Sequence, residues 1–461
     1  MSIPHPSDLV AAIATAPGEG AIAIVRLSGH GTFDVADRVF QCAPPLPSSR
    51  PGGTFVHGYA VDPSCGERID EALLLVFKAP HSYTGEDSAE FQCHGGSQAA
   101  RRILDALLAS GARQAEPGEF TKRAFLNGKL DLTQAEAVLD LIHARSERAA
   151  RLAATQLENA LGIRCRYLYD HLLAIAADME AMLDFPDDEL PQSIPADIVA
   201  RIVSAKADIQ SLLDTWQEGH VLREGARIVI AGAPNVGKST LLNLLAGRDR
   251  AIVTPHPGTT RDTIEESIAL RGYPIHLVDT AGLRDAPCEI EREGIRRTRH
   301  ALAHADLCIC VVDASQPLSN EERAFLSAHP ARRTLVLLNK TDLGMQIRPE
   351  ELPGCDCVAI SLKTNPDLTP LAEKIVQKVV RNPTFGSEGT LAISGRHKKS
   401  LLIALDELKM SENLVSGGLE ADILPAATHL RASLEAIGHV FGKNCTEEML
   451  GAIFSRFCVG K

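Results

Sequence analysis

Residues Gly232–Ser239 have the sequence GAPNVGKS, which fits the phosphate-binding pattern of Gly, four residues and Gly-Lys-Ser. Glycines let backbone amides curl around phosphate oxygens, while Lys238 reaches the outer phosphates and the Ser239 hydroxyl can ligate Mg²⁺. The run RIVIAGA before it predicts a buried strand, and STLLNLLAG predicts a helix whose N-terminus faces the anion. An ordinary glycine-rich turn would lack this setting, so the stretch predicts a P-loop in an α/β domain.

Three further motifs select the nucleotide. Asp279-Thr280-Ala281-Gly282 follows the apolar run IHLV, so its carboxylate is expected at a strand end near Mg²⁺. Asn339-Lys340-Thr341-Asp342 ends the run TLVLL, and its aspartate can accept hydrogen bonds from guanine N1 and the exocyclic amine. Adenine lacks this donor pair, and a buried carboxylate without partners is costly. With Ser361-Leu362-Lys363 to complete the base pocket, the motifs predict GTP, and in this order they resemble the translation-factor-related GTPases over residues 222–383.

The group that activates water is not evident from the residues alone. Leu283 follows the DTAG motif, where Ras-type GTPases place a glutamine that orients water. The acidic residues that follow are not ranked by this reasoning; they are Asp285, Glu289, Glu291 and Glu293. Thr260, in the expected switch loop GTTRD, is the natural second hydroxyl ligand of Mg²⁺. No arginine finger is evident, but the side-chain carbonyl of Asn235 can hold a monovalent cation beside the phosphates.

Composition excludes several classes of protein. The 461 residues suggest about three domains on a prior of roughly 150 residues each, and no apolar run is long enough for a membrane span. The N-terminus resembles neither a signal nor a transit peptide, so we expect a cytoplasmic protein with no membrane association.

Eleven scattered cysteines predict buried reduced thiols rather than a metal site. A net charge of −12 argues against a surface that binds nucleic acid everywhere, although the basic cluster Arg396–Lys399 is either a solvated helix face or an RNA contact.

The pattern of apolar residues along the chain predicts a multidomain fold of α/β and α regions. Residues 1–127 show strand-like apolar runs and form an α/β N-terminal domain, and helical periodicity dominates residues 128–221. A capping box at Thr133-Gln134-Ala135-Glu136 is expected to open that helical region. The α/β GTPase domain with a mostly parallel sheet, residues 222–383, interrupts it, and helices resume over residues 384–461. Helices on both sides of the insertion are expected to form one bundle.

Three features together resemble a known family from end to end. They are an α/β N-terminal segment with Thr84-Gly85-Glu86-Asp87 and Cys93-His94-Gly95-Gly96, a helical region interrupted by a GTPase, and the tail Phe457-Cys458-Val459-Gly460-Lys461. This combination is similar to the bacterial MnmE (TrmE) family of tRNA-modification GTPases, within the TrmE-Era-EngA-like superfamily. The tail is the most specific part, because ribosome-assembly GTPases have no reason to end in Cys-x-Gly-Lys.

The resemblance assigns roles in the nucleotide site. Ser239 and Thr260 match the Mg²⁺ ligands, and Glu291 matches the glutamate that positions the attacking water. Catalysis would also use Lys238 and Asn235. The positions that match K⁺ ligands are Asn235, Thr254, His256 and Thr259. The predicted GTP-binding set is Asn235, Val236, Gly237, Lys238, Ser239, Thr240, Thr254, Thr259, Thr260, Asp279, Thr280, Ala281, Gly282, Asn339, Lys340, Asp342 and Ser361.

The resemblance also implies a second ligand and two partners. Residues at the positions that hold 5-formyl-tetrahydrofolate in the family's N-terminal, dimerising domain are Arg26, Glu90, Lys129 and Lys461. Cys458 matches a tail cysteine that is either a nucleophile or a bystander. The family forms a homodimer and works with a flavoprotein, MnmG or GidA, expected as a heterotetramer in which FAD and NADH belong to the partner. The pair adds an aminomethyl or carboxymethylaminomethyl group to C5 of the wobble uridine of certain tRNAs.

Two other functions compete with this one. A GTP-gated ribosome-assembly factor would need RNA contacts from an added basic domain, and we see none in the sequence. A folate-dependent one-carbon enzyme acting alone, with GTP as regulator, is the third hypothesis.

Overall fold

The computed structural model describes residues 8–184, 196–248, 265–279, 301–348, 351–352, 354–364, 366–380, 391–417 and 422–461. The chain divides into two compact units. One comprises Met1–Leu139 together with Gly438–Lys461, and the other comprises Asp140–Ile437. The four-part division expected from the sequence is finer than these two units and stays a proposal.

The first unit is built on a seven-stranded sheet in the order β3-β4-β5-β6-β2-β1-β7, antiparallel except for the parallel pair β1–β7. The strands are β1 (Val10–Ile13), β2 (Ile22–Ser28), β3 (Phe40–Cys42), β4 (Thr54–Val61), β5 (Arg68–Phe77), β6 (Ser88–His94) and β7 (Arg113–Gln114). The helices that follow its strands are α1 (Thr32–Val39), α2 (Ser97–Ala109) and α3 (Glu119–Leu126), with a 3₁₀ turn at Pro47–Ser49. Alternate residues of the strands are buried with α1 and α2 in one core that includes Leu27, Leu74, Phe91, Ile103 and Leu107.

Helices precede and follow the nucleotide-binding sheet in the sequence. They are α4 (Leu132–His143), α5 (Glu147–Leu157), α6 (Ala160–Asp184), α7 (Ala196–Asp214) and α8 (Trp216–Glu224) before the nucleotide-binding sheet. After it come α12 (Gly395–Ser416), α13 (Ile423–Phe441) and α14 (Glu447–Phe454). Lys206 of α7 pairs with Glu412 of α12, and Glu180 of α6 accepts a 2.7 Å bond from Arg431 of α13. Helices on the two sides of the insertion therefore pack together, as predicted.

The predicted capping box at Thr133 is wrong by two residues. Asp131 caps α4, because its Oδ1 accepts from the Gln134 amide at 3.0 Å and the Gln134 Oε1 accepts from the Asp131 amide at 3.0 Å. Thr133 instead donates its hydroxyl to Asp131 Oδ1 at 2.7 Å. The physical reason is that Asp131 lies directly before Leu132, the first residue of α4, where a side-chain oxygen can accept from the free amides of the first turn, whereas Thr133 lies inside that turn.

The nucleotide-binding region carries a six-stranded sheet in the order β13-β12-β11-β8-β10-β9, parallel except for the antiparallel pair β9–β10. Its strands are β8 (Ala226–Ala231), β9 (Glu265–Leu270), β10 (Tyr273–Asp279), β11 (Leu307–Asp313), β12 (Thr334–Asn339) and β13 (Asp356–Ala359). The helices in the described part of this region are α9 (Lys238–Arg248), α10 (Asn320–Ala328) and α11 (Thr369–Val379), with 3₁₀ turns at Ala331–Arg333 and Thr341–Leu343. The strand order reverses at β8, which places a ligand crevice at its carboxyl end.

The end of the chain belongs to the first unit. Val459 forms a bridge with Pro117, and the Cys458 carbonyl accepts a 3.4 Å bond from the Gly118 amide. Gly460 has a φ of +96°, and a Cβ there would lie 2.3 Å from the Ile13 carbonyl oxygen. The tail is thus fitted closely against β1 and the start of α3. Among the helices in the described ranges, none is long and apolar enough to cross a membrane.

Candidate functional site

The backbone of the P-loop takes conformations that its sequence is suited to. Gly232 has a φ of +146°, and a Cβ there would lie 2.3 Å from the Val311 carbonyl oxygen. Gly237 has a φ of +108°, and its Cβ would lie 2.4 Å from Asn339 Nδ2. Asn235 also has a positive φ of 61°, which asparagine tolerates better than most residues. The two glycines are therefore required for close approach as well as for phosphate binding.

The cationic and hydroxyl groups of the loop sit at the start of α9. Lys238 is buried, and its Nζ donates to the carbonyls of Gly232 at 3.1 Å and Ala233 at 2.7 Å. This places the ammonium inside the curl of the loop, where phosphate oxygens are the natural partners. Ser239 and Thr240 are exposed in the first turn of α9. A hydroxyl at that position fits the chemistry of a Mg²⁺ ligand, because Mg²⁺ prefers oxygen donors.

Asn339 ties the base-binding segments to the P-loop. Its Nδ2 donates to the Val236 carbonyl at 2.7 Å, and its Oδ1 accepts from the Leu362 amide at 3.0 Å. The side chain is buried, so both bonds form away from water. One residue at the end of β12 thereby fixes two loops that are 103 and 23 positions away in the sequence.

Asp342 and Ser361, which the sequence assigned to the base pocket, are in direct contact. The Ser361 hydroxyl donates to Asp342 Oδ1 at 2.5 Å and accepts from the Thr364 amide at 3.2 Å and hydroxyl at 2.7 Å. The surrounding pocket is lined by Thr341, Asp342, Ala359, Ile360, Ser361, Thr364, Asp367 and Pro370. Asp342 is exposed to this pocket, so its carboxylate is available to a base with paired N–H donors.

Lys340 is held by a residue that sequence reasoning missed. Its φ is 62°, and its Nζ donates to Asp313 Oδ2 at 2.6 Å. Asp313 also accepts from the Ser315 amide and hydroxyl. Burial alone would raise the pKa of Asp313, but Lys340 and Ser315 outweigh it, and the pKa lies below its ordinary value. An aspartate at the end of the strand-like run LCICVV was the available signal.

Part of the predicted site lies outside the described residues. These positions are Thr254, His256, Thr259, Thr260, Thr280, Ala281, Gly282 and Glu291. The backbone of Asp279 ends β10 beside Ile230 of β8, next to the P-loop. Of the predicted Mg²⁺ and K⁺ ligands, the structure therefore describes Ser239 and Asn235.

A second cluster of predicted residues lies on the sheet of the first unit. Arg26 of β2 and Glu90 of β6 are register partners, and Arg26 Nε donates to Glu90 Oε1 at 2.9 Å. Their side chains are only 16% and 15% exposed. The guanidinium carbon of Arg26 lies 5.3 Å from the ring centre of Tyr83 and 5.4 Å from that of Phe120. The pair is thus flanked by aromatic rings, one of which, Tyr83, is partly exposed.

Lys129 and the tail contact the two segments that carry these rings. Lys129 Nζ donates to the Pro80 carbonyl at 3.1 Å, and the lysine stem passes within 3.3 Å of the ideal Cβ position of Gly85, two residues after Tyr83. The Lys461 carbonyl accepts a 3.2 Å bond from the Phe120 amide, and Cys458 is exposed. Arg26, Glu90, Lys129 and Lys461 are thus gathered around the Ser82–Asp87 loop and the start of α3. Tyr83 and Thr121, whose hydroxyls bond at 2.9 Å, were not among the residues assigned to folate.

The strand, P-loop and helix around Lys238, together with the Asn339–Asp342–Ser361 pocket, define a GTP-binding protein of the P-loop class. Comparison with known proteins narrows this class. Residues 9–129 match the family model "GTP-binding protein TrmE N-terminus", and residues 132–458 match the model "MnmE helical domain". The chain belongs to the MnmE family of tRNA modification GTPases, and it is a GTPase.

Relatives from several bacteria match over nearly the full length. The tRNA modification GTPase MnmE of Geobacter metallireducens is 42% identical, with 98% of this chain and 99% of that protein covered. The MnmE of Symbiobacterium thermophilum is 43% identical with the same coverage. Among solved structures, the G domain of the T. maritima FeoB iron transporter is 29% identical over 34% of this chain and 99% of that chain, with a TM-score of 0.26.

Proposed function

We propose that this GTPase drives the addition of an aminomethyl or carboxymethylaminomethyl group to C5 of the wobble uridine of certain tRNAs. A flavoprotein partner of the MnmG type, which carries FAD and uses NADH, takes part in the reaction, and a tetrahydrofolate supplies the one-carbon unit. The observation that carries this proposal is the Arg26–Glu90 pair between aromatic rings, in the same chain as a GTP site. A tRNA substrate places the activity in the cytoplasm.

The side chains around Arg26 suit a folate such as 5-formyl-tetrahydrofolate. A pterin ring presents neighbouring N–H donors, which a carboxylate such as Glu90 accepts in pairs. The glutamate tail of a folate carries carboxylates, which suit Lys129 and Lys461. The partly exposed ring of Tyr83 offers a flat apolar wall of the kind that ligand pockets use. Cys458 is exposed on the tail that contacts the start of α3. Its thiol there is either a nucleophile in the modification reaction or takes no part in it.

The open face of the first sheet supports the proposal of a homodimer. Phe55, Leu75, Glu90 and Arg26 are successive register partners across four strands, so their side chains share one face. Phe55 is 69% exposed there. An exposed aromatic ring on this face is available to pack against another protein chain. A second copy that covers this face would also enclose the candidate folate site, and two flavoprotein subunits would complete a heterotetramer.

The nucleotide site supports a cation-assisted mechanism. Asn235 is exposed in the P-loop with a positive φ, so its side-chain carbonyl can contribute to a K⁺ site with Thr254, His256 and Thr259. Ser239 and Thr260 would hold Mg²⁺, and Glu291 would orient the water that Leu283 cannot. The K⁺ ion would supply positive charge near the β- and γ-phosphates.

Complementation tests the proposed function. A strain that lacks the corresponding gene is supplied with the wild type, Glu90→Gln or the matched surface variant Glu67→Gln, whose carboxylate is 61% exposed and pairs with Arg102. We expect mass spectrometry of tRNA nucleosides to find the modified uridine with the wild type and Glu67→Gln, and a reduced amount with Glu90→Gln. Normal modification with Glu90→Gln would contradict the folate part, and failure of the wild type would contradict the whole proposal.

The dependence of GTP turnover on the type of salt tests the proposed K⁺ site. GTP turnover of the wild type is measured in KCl and in NaCl at equal ionic strength. We expect a clear preference for KCl, and this preference is expected to disappear in Asn235→Ala. Equal rates of the wild type in both salts would contradict the K⁺ site.

A further inference from the structure

A buried arginine in the first unit is shared by two carboxylates. The side chain of Arg123 on α3 is only 5% exposed. Its NH1 donates to Glu86 Oε2 at 3.1 Å, and its NH2 donates to Glu119 Oε1 at 2.8 Å. NH1 also donates to the Asp8 carbonyl at 2.7 Å. The guanidinium therefore has partners on three different segments, and its planar fork is the group best suited to such an arrangement.

Glu119 is the fixed end of this arrangement. It is buried and accepts from Arg113 at 2.6 Å and from the Glu116 amide at 2.9 Å, in addition to Arg123. Burial alone would raise the pKa of Glu119, but the bonds from Arg113, Glu116 and Arg123 outweigh it and lower the pKa to about 2. Glu119 is therefore ionised at neutral pH and keeps Arg123 in place whether or not Glu86 carries a charge.

Glu86 is the end that reaches the candidate folate site. It belongs to the Ser82–Asp87 loop, three residues after Tyr83, and its Oε2 accepts from the Ser28 hydroxyl at 2.9 Å. Ser28 lies on β2 two residues after Arg26. Thr84, fully buried in the same loop, bonds to Ser28 at 2.8 Å. The loop is thus fastened on one side to the strand of Arg26 and on the other side to α3.

The same loop is held from outside by Asn127. Its Nδ2 donates to the Thr84 carbonyl at 2.7 Å, although Asn127 itself is exposed. Tyr83 is then placed with its hydroxyl on Thr121 and its ring 5.3 Å from the Arg26 guanidinium. Without these ties the loop, which turns at Gly85 with a φ of +79°, would have other conformations open to it.

We propose that Glu86 and Arg123 are positioning residues for the folate: their ion pair holds the Ser82–Asp87 loop so that Tyr83 stands beside Arg26 before the ligand arrives. This inference rests on the proposed function, because it assigns Tyr83 as a wall of the same folate site. Neither Glu86 nor Arg123 needs to touch the ligand. Their contribution is preorganisation, since a loop ordered in advance does not lose its freedom on binding.

Folate binding to the full-length chain tests the inference. The Kd of 5-formyl-tetrahydrofolate is measured by calorimetry for the wild type, Glu86→Gln and the matched control Glu67→Gln. Glutamine keeps the length and an oxygen for Ser28 but removes the charge opposite Arg123. We expect Glu86→Gln to raise the Kd at least about tenfold with unchanged stoichiometry, while Glu67→Gln stays within about twofold of the wild type, since exposed pairs contribute little.

Two further measurements separate positioning from loss of fold. GTP turnover without folate is expected to be unchanged in Glu86→Gln, and tRNA modification is expected to return to the wild-type rate at saturating folate. If Glu86→Gln unfolds, Asn127→Ala releases the loop from an exposed position and is expected to raise the Kd by about threefold or more. A Kd within twofold of the wild type in the folded variant overturns the inference. Absence of folate binding by the wild type refutes the folate site itself, and the inference with it.

Discussion

Replacing Asn339 by alanine is expected to separate the loops of the nucleotide site. Asn339 is 4% exposed and makes two buried bonds, one to the Val236 carbonyl of the P-loop and one from the Leu362 amide next to the base pocket. Alanine removes both bonds and leaves no group of the right length to replace them. The P-loop and the Ser361–Lys363 segment would then lose the side chain that fixes one against the other.

The size of the effect follows from the two groups that lose their partner. A buried donor or acceptor left unsatisfied costs about 1–3 kcal/mol, so two of them give about 2–4 kcal/mol after allowance for partial access of water. If nucleotide binding requires the present arrangement, this energy weakens binding by about 30-fold to about 700-fold, at roughly 1.4 kcal/mol for each factor of ten.

Titration of a fluorescent GDP analogue measures this loss. The control is Asn243→Ala, which removes the same side chain from an exposed position on α9 and is expected to leave the Kd unchanged. Thermal unfolding checks that Asn339→Ala is folded at the assay temperature. An Asn339→Ala protein that is folded and binds GDP within threefold of the wild type would refute the reasoning.

Three further outcomes are expected. Gly237→Ala places a Cβ 2.4 Å from Asn339 Nδ2 and should weaken GDP binding more than about tenfold, whereas Gly247→Ala, with nothing within 4 Å, should not; equal Kd values would contradict this. Because the pKa of Glu119 is lowered to about 2, its stabilisation is present above about pH 4.5 and is lost as the pH falls towards 2. Between pH 4.5 and 2, the free energy of unfolding of the wild type should fall by about 3 kcal/mol more than that of Glu119→Gln. An equal fall in both proteins would contradict this. Asp342→Asn should lower the affinity for GTP and raise that for xanthosine triphosphate in competition assays; unchanged preference would exclude Asp342 from base recognition.

The P-loop could be predicted because its chemistry is local. Gly232, Gly237 and Lys238 lie within seven residues, and the strand and helix beside them have clear periodicity. The parallel sheet followed from the same pattern. The role of Asn339 as a tie between loops could not be predicted, because its contact with Val236 spans 103 residues and depends on how β8 and β12 align across β11.

In the N-terminal site, too, contacts between residues far apart in the sequence could not be predicted. Arg26 and Glu90 were suggested by resemblance alone, and their direct pairing depends on the register of β2 with β6. The part played by Arg123 had no sequence signal, since a lone arginine in a helix usually faces solvent. Local competition also matters, because Asp131 and Thr133 both offer a side-chain oxygen near the start of α4, and the reciprocal bonds with Gln134 form at Asp131.

The most direct test of the account is a carbon-transfer measurement. The purified protein, its flavoprotein partner, GTP, K⁺ and unmodified tRNA are combined with a tetrahydrofolate whose one-carbon unit is labelled with ¹³C. The account predicts label in the group attached to C5 of the wobble uridine, and only when GTP can be hydrolysed. Modified uridine without label, or labelled uridine formed equally well with a non-hydrolysable GTP analogue, would contradict it.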